Sequence, residues 1–135
     1  MRLALLAAVL VAAVAAAAAP AKEGAVARLT TRLPVHAAPG ATIRVGWTVT
    51  ILDGHGGRRG FGAGGMFVRL LSRTGAHPTT ADARASKVVG RYSARIKVPK
   101  GGMGGIRFGL HSWNDYGKAD WFFPLQNDPF RTKRK

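Results

Sequence analysis

Residues 88–113 read VVGRYSARIKVPKGGMGGIRFGLHSW, and from Tyr92 the stretch alternates with a period of two. Tyr92, Ala94, Ile96 and Val98 fall on one side of an extended chain. Arg91, Ser93, Arg95 and Lys97 fall on the other, the pattern of a strand with one buried and one solvated face. Pro99 has no amide hydrogen to give to a ladder, so the strand is expected to stop there. Gly101, Gly102, Gly104 and Gly105 permit the positive backbone angles of a reversal. Ile106, Phe108 and Leu110 then resume the alternation, and the whole stretch predicts an antiparallel hairpin.

Working outward, the same alternation recurs in residues 42–52, TIRVGWTVTIL, with Ile43, Val45, Trp47, Val49 and Ile51 on one face and Arg44, Gly46, Thr48 and Thr50 on the other. Trp47, at the centre of a β-branched face, is expected to supply the largest buried surface of the core. Residues 25–33 alternate more weakly and predict an edge strand whose Arg28 and Arg32 face water. Residues 66–72, MFVRLLS, are apolar on both faces and predict a more central strand. A last short strand is expected over Trp121–Leu125, between turn signals at Asn114-Asp115 and Asp128-Pro129. Residues 74–87 are polar and alanine-rich, compatible with a loop, a helical turn or a crossover.

Residues 53–65, DGHGGRRGFGAGG, are too rich in glycine for regular structure and predict a mobile loop. Gly60-Phe61-Gly62-Ala63-Gly64-Gly65 formally matches G-x-G-x-x-G. A dinucleotide fingerprint must follow a strand and open a helix, and this segment follows a glycine loop and opens a strand, so the match is rejected.

Residues 1–21 are set apart as a secretory signal peptide. Arg2 supplies a short positive start, Leu3–Ala19 is an uninterrupted apolar run of 17 residues, and Ala19-Pro20-Ala21 offers a small-residue cleavage site. The alternative is an uncleaved membrane anchor, although the run is shorter than the ~20 residues a bilayer asks for. Cleavage would leave 114 of the 135 residues, one domain over 22–130 and a basic tail over 131–135. The chain has no cysteine, so an exported domain must be held by its core without disulfides. The leader carries one of the 21 Lys and Arg, which leaves 20 against 6 acidic residues, a charge of +14. Such a surface attracts polyanions in a salt-dependent way.

Short alternating strands separated by turns, with no convincing amphipathic helix, predict an all-β protein with antiparallel sheets. PGATIRVGWTV (39–49) and GRYSARIKVP (90–99) resemble the small secreted bacterial immunoglobulin-like β-sandwich domains, including the YtkA-like and FixH-like group. The resemblance covers roughly residues 26–110. It implies an immunoglobulin-like antiparallel β-sandwich in which Tyr92, following Gly90, looks like a tyrosine corner. It implies no activity, because this architecture hosts many.

Candidate chemistry is sparse. There is no G-x-S-x-G elbow, no cysteine nucleophile, and the six acids are scattered, so no catalytic residues and no cofactor are assigned. His55 and His111 would form a metal site, with Asp53 or Asp115, only if their loops share one end of the sandwich; copper is the metal such domains suggest. Exposed loop histidines are the ordinary alternative. The strongest constellation is basic: Arg28, Arg32, Arg44, Arg91, Arg95, Lys97 and Arg107 occupy the solvated phase of their strands and would concentrate positive charge if those strands are neighbours. Trp113 and Tyr116 lie in a polar glycine-containing segment and could stack on sugars or peptides, or cap the core. The resulting expectation is a monomeric, exported, non-catalytic module of the cell envelope. It would contact an anionic polymer or a partner protein, bind no specific nucleic acid, and meet the membrane only if the leader is retained.

Overall fold

The structure, a computed structural model, describes residues 24–114 and 117–131, with the side chains of 113–118 excepted. The leader, Tyr116 and the tail beyond Arg131 lie outside the described residues, as does the side chain of Trp113. Among the described residues the chain forms strands and turns and no helix. The strands are β1 (Val26–Leu29), β2 (Thr42–Leu52), β3 (Arg58–Gly60), β4 (Met66–Ser72), β5 (Thr79–Asp82), β6 (Arg84–Ala85), β7 (Arg91–Lys97), β8 (Met103–Asn114) and β9 (Gly117–Phe122). One sheet runs β1-β2-β7-β6, with β3 also paired to β2; the other runs β5-β4-β8-β9. Every strand pair is antiparallel. The two orders correspond to A-B-E-D and C′-C-F-G of an immunoglobulin-like sandwich, so the all-β sandwich predicted from the alternation is the architecture found.

The alternation is what builds it. Val45, Trp47 and Val49 of β2, Tyr92, Ala94 and Ile96 of β7, Val68 and Leu70 of β4, and Ile106 and Phe108 of β8 are all buried in one core between the sheets. The Trp47 ring stacks on Phe108 of the opposite sheet at 4.6 Å and lies 5.9 Å from Tyr92 beside it. Trp47 thus ties β2 to both its neighbour and the facing layer. Its indole N–H is buried with no hydrogen-bond partner, a cost of about 1–3 kcal/mol that the burial of so large a ring must offset.

The predicted hairpin does not form. β7 pairs with β2 and β6, whereas β8 pairs with β4 and β9, so residues 98–102 carry the chain from one sheet to the other. Period-two alternation tells each strand which side to bury but not which strand to lie beside. β7 is better matched by β2, where Tyr92 sits opposite Trp47 and Ile96 opposite Ile43. β8 is better matched by β4, where Phe108 sits opposite Val68 and Ile106 opposite Leu70.

The glycine segment is also more ordered than its composition suggests. β3 takes over beside β2 where β7 begins, pairing Gly60 with Thr50. At that exchange Gly90 has φ of +89°, and a Cβ there would stand 2.6 Å from the Gly60 Cα and 2.8 Å from the Val49 carbonyl oxygen. Only glycine fits. Tyr92 then pins the segment: its hydroxyl donates to the Phe61 carbonyl at 2.7 Å and accepts from the Ala63 amide at 3.1 Å. The tyrosine-corner expectation is corrected accordingly. Tyr92 stands on the strand equivalent to E, not F, and bonds the backbone some 30 residues upstream rather than close by.

Residues 74–87 hold two short strands, β5 and β6, that pass from the second sheet to the first. β4 is interior, between β5 and β8, as its two apolar faces predict. The last strand starts earlier than expected, at Gly117, and ends at Phe122. Beyond it the chain returns along the outer edge of β1. Ala27 donates to the Pro124 carbonyl, Gln126 donates to the Ala27 carbonyl, and the Asn127 amide exchanges two bonds of 2.8 Å with the Leu29 backbone. The predicted edge strand is therefore covered.

Candidate functional site

The solvated face of the first sheet is assembled by register. Residues directly opposite one another on paired strands point the same way, so Arg44 of β2 and Arg95 of β7 stand side by side. One row along, Ser93 lies opposite both Gly46 and Arg84. In the next row Thr48 lies between Arg28 and Arg91. Lys97 sits opposite Thr42 at the far end. Toward the near end the Arg58 guanidinium donates to Thr50 Oγ1 at 2.9 Å and to the Gly24 carbonyl at 2.9 Å, which lays it over β2.

The strands of this sheet contain no Asp or Glu. The ion pairs found among the described residues, Arg69 with Asp120 and His111 with Asp120 and Asp82, all belong to the second sheet. Among the described residues, none of the first sheet's cations is paired with a carboxylate. Two depressions open on the face. One, of about 500 Å³, is lined by Arg44, Asp82, Arg84, Ser93, Ala94 and Arg95. The other, of about 350 Å³, is lined by Arg44, Arg91 and Ser93 together with Thr30, Thr31, Gly46, Ser86 and Tyr92. Arg44 and Ser93 are common to both, so the hollows adjoin. The arrangement offers guanidinium forks and hydroxyls, which together match oxyanions of phosphate, sulfate or carboxylate type.

Arg107 is separated from this group. It lies on β8 in the other sheet, opposite Arg69, with its guanidinium 5.5 Å from the centre of the Phe122 ring. That second solvated face has a different character. Phe67 points outward yet is fully buried: His111 stacks on it at 4.1 Å, Phe122 meets it edge-on at 5.7 Å, and the Arg69 guanidinium covers it at 5.2 Å. Gly109, opposite Phe67, makes room for the ring, since a Cβ there would stand 2.5 Å from Phe67 Cζ. Asp120 ties the cover together, 2.6 Å from His111 Nδ1 and 3.5 Å from Arg69. The cations here are occupied by rings and acids.

The two histidines considered for a metal have different surroundings, and Asp115, one of the third ligands considered with them, lies outside the described residues. His55 is exposed in the turn between β2 and β3, where its amide donates to Asp53 Oδ1 at 2.8 Å. His111 is a member of the Phe67 cluster in the other sheet. No group of three or more His, Asp or Glu is placed to hold a metal ion among the described residues.

Sequence reasoning missed two members of the basic face. Arg84 was readable: Thr80, Asp82 and Arg84 alternate with Ala81, Ala83 and Ala85, a period-two signal muted because alanine is a weak marker of burial. Arg58 carried no such signal, because its strand is three residues long and set in glycines. No family model, curated protein or solved structure matches the chain.

Proposed function

We propose that this chain is an exported, non-catalytic binding module of the cell envelope that holds anionic polymers against the solvated face of its β1-β2-β7-β6 sheet. The observation that carries the reading is a row of cations, from Arg58 and Arg28 through Arg91 and Arg44 to Arg84, Arg95 and Lys97, that pair with no carboxylate among the described residues, on a sheet whose strands carry no acidic residue. A surface designed only to stay wet mixes both signs, as the second sheet does with Asp82, Asp120, Arg69 and Arg107. Arginine predominates over lysine, as bidentate oxyanion recognition favours. The likeness of residues 39–49 and 90–99 to secreted bacterial sandwich domains, together with the apolar leader, supports placement outside the cytoplasm.

The reading is tested by retention on an immobilised anionic polymer as salt is raised. Affinity should fall linearly on a log–log plot, each neutralised phosphate contributing a slope of ~0.7–0.9. Arg44→Ala combined with Arg95→Ala should make the slope shallower by about 1–2. Arg69→Ala with Arg107→Ala, equal in charge removed but on the other sheet, should leave the slope near that of the parent. Equal effects of the two double variants, or retention indifferent to salt, would refute the proposal.

A further inference from the structure

Resting on that reading, we infer that the occupant is a linear phosphate-bearing polymer that runs lengthwise along β7, seating one phosphate in the Arg44/Arg84/Arg95 hollow and another in the Arg91 hollow. The starting point is a local misfit. Arg44 and Arg95 are direct cross-strand neighbours, a like-charge pairing that disfavours the sheet, and Arg84 lines the same hollow. Asp82, which also lines it, faces His111 Nε2 at 3.9 Å and pairs with none of the three. Local rules broken without compensation inside the fold mark places where a ligand supplies the missing partner.

The shape of the hollow selects the anion. A carboxylate is planar and is satisfied by one guanidinium fork, whereas the oxygens of a tetrahedral phosphate diverge and can accept from several forks at once. Three arginines around one hollow suit the second. The pairing of hollows selects a polymer. They adjoin through Arg44 and Ser93, and Arg91 and Arg95 are four residues apart on one strand, ~13 Å at the usual rise. The Arg91 hollow adds the hydroxyls of Thr30, Thr31 and Ser86, which can donate to phosphate oxygens or to a hydroxylated linker. A chain long enough to reach both hollows binds the second one intramolecularly.

The test compares inorganic pyrophosphate, long-chain polyphosphate and a polyuronate of similar charge for affinity at fixed ionic strength. Pyrophosphate, whose phosphates share one bridging oxygen, cannot reach both hollows. Long-chain polyphosphate should bind ~100-fold or more tightly per chain than pyrophosphate, and clearly more tightly than the polyuronate. Arg91→Ala or Arg95→Ala alone should abolish that length-dependent gain while leaving pyrophosphate binding at the remaining hollow, and unchanged thermal melting would confirm that each variant folds. If polyphosphate and polyuronate bind equally and with no gain over pyrophosphate, this inference fails while the anion-binding face stands. If neither polymer binds, both fail.

Discussion

At the scale of single residues, two side chains carry opposite lessons. The Tyr92 ring is part of the core and its hydroxyl is the clasp on residues 61–63. Tyr92→Phe keeps the ring and removes the clasp, so it should cost about 1–2 kcal/mol in denaturant unfolding and speed hydrogen exchange at the Ala63 amide. Unchanged exchange there would contradict the assignment. Arg44 is the converse case, a residue that under the proposed function serves binding at some expense to the sheet. Arg44→Glu turns its pairing with Arg95 from like to opposite charge, so stability should rise by roughly 0.5 kcal/mol while affinity for anionic polymers falls. Thermal melting and polymer retention measured on the same preparation check both signs. A variant that loses stability and binding together would instead make Arg44 structural.

At the scale of elements, facing was legible in the sequence and pairing was not. Trp47, Tyr92 and Phe108 were each assignable to the core because every second residue around them is apolar, and all three are buried. The same alternation says nothing of neighbours, so 92–98 and 106–110 looked like a hairpin when they are strands of different sheets. The two readings predict the same buried faces, which is why periodicity could not separate them. Phe67 shows the other blind spot: its strand phase assigns it to the outside, and only the tertiary placement of His111, Phe122 and Arg69 buries it. Coverage of β1 was equally hidden, since it comes from residues 124–127, the Asn127 amide lying 98 residues from its partner Leu29. Asn127→Ala removes both bonds to Leu29 and should destabilise the domain by about 1–2 kcal/mol, with faster amide exchange at Leu29 as the local readout. Exchange unaltered at Leu29 would mean that the Asn127 side chain contributes nothing to that edge.

At the scale of the molecule, the formal charge of +15 is unevenly spent. The second sheet balances Arg69, Arg107 and His111 against Asp82, Asp120 and three aromatic contacts, while the first sheet's arginines pair with no carboxylate among the described residues. The basic cluster was partly legible, because Arg44, Arg91, Arg95 and Lys97 share a strand phase. Its boundary was not: Arg107 has the same phase but a different sheet, Arg84 sits in an alternation muted by alanine, and Arg58 joins through a three-residue strand set in glycines. This asymmetry between faces makes the central claim directly measurable. Titrating isotope-labelled protein with polyphosphate at constant ionic strength and following backbone amide shifts should give saturable changes at Arg44, Arg91, Ser93 and Arg95, with Arg69, Arg107 and His111 unmoved. Changes centred on those last three, or none that saturate, would contradict the assignment of the first sheet as the binding face.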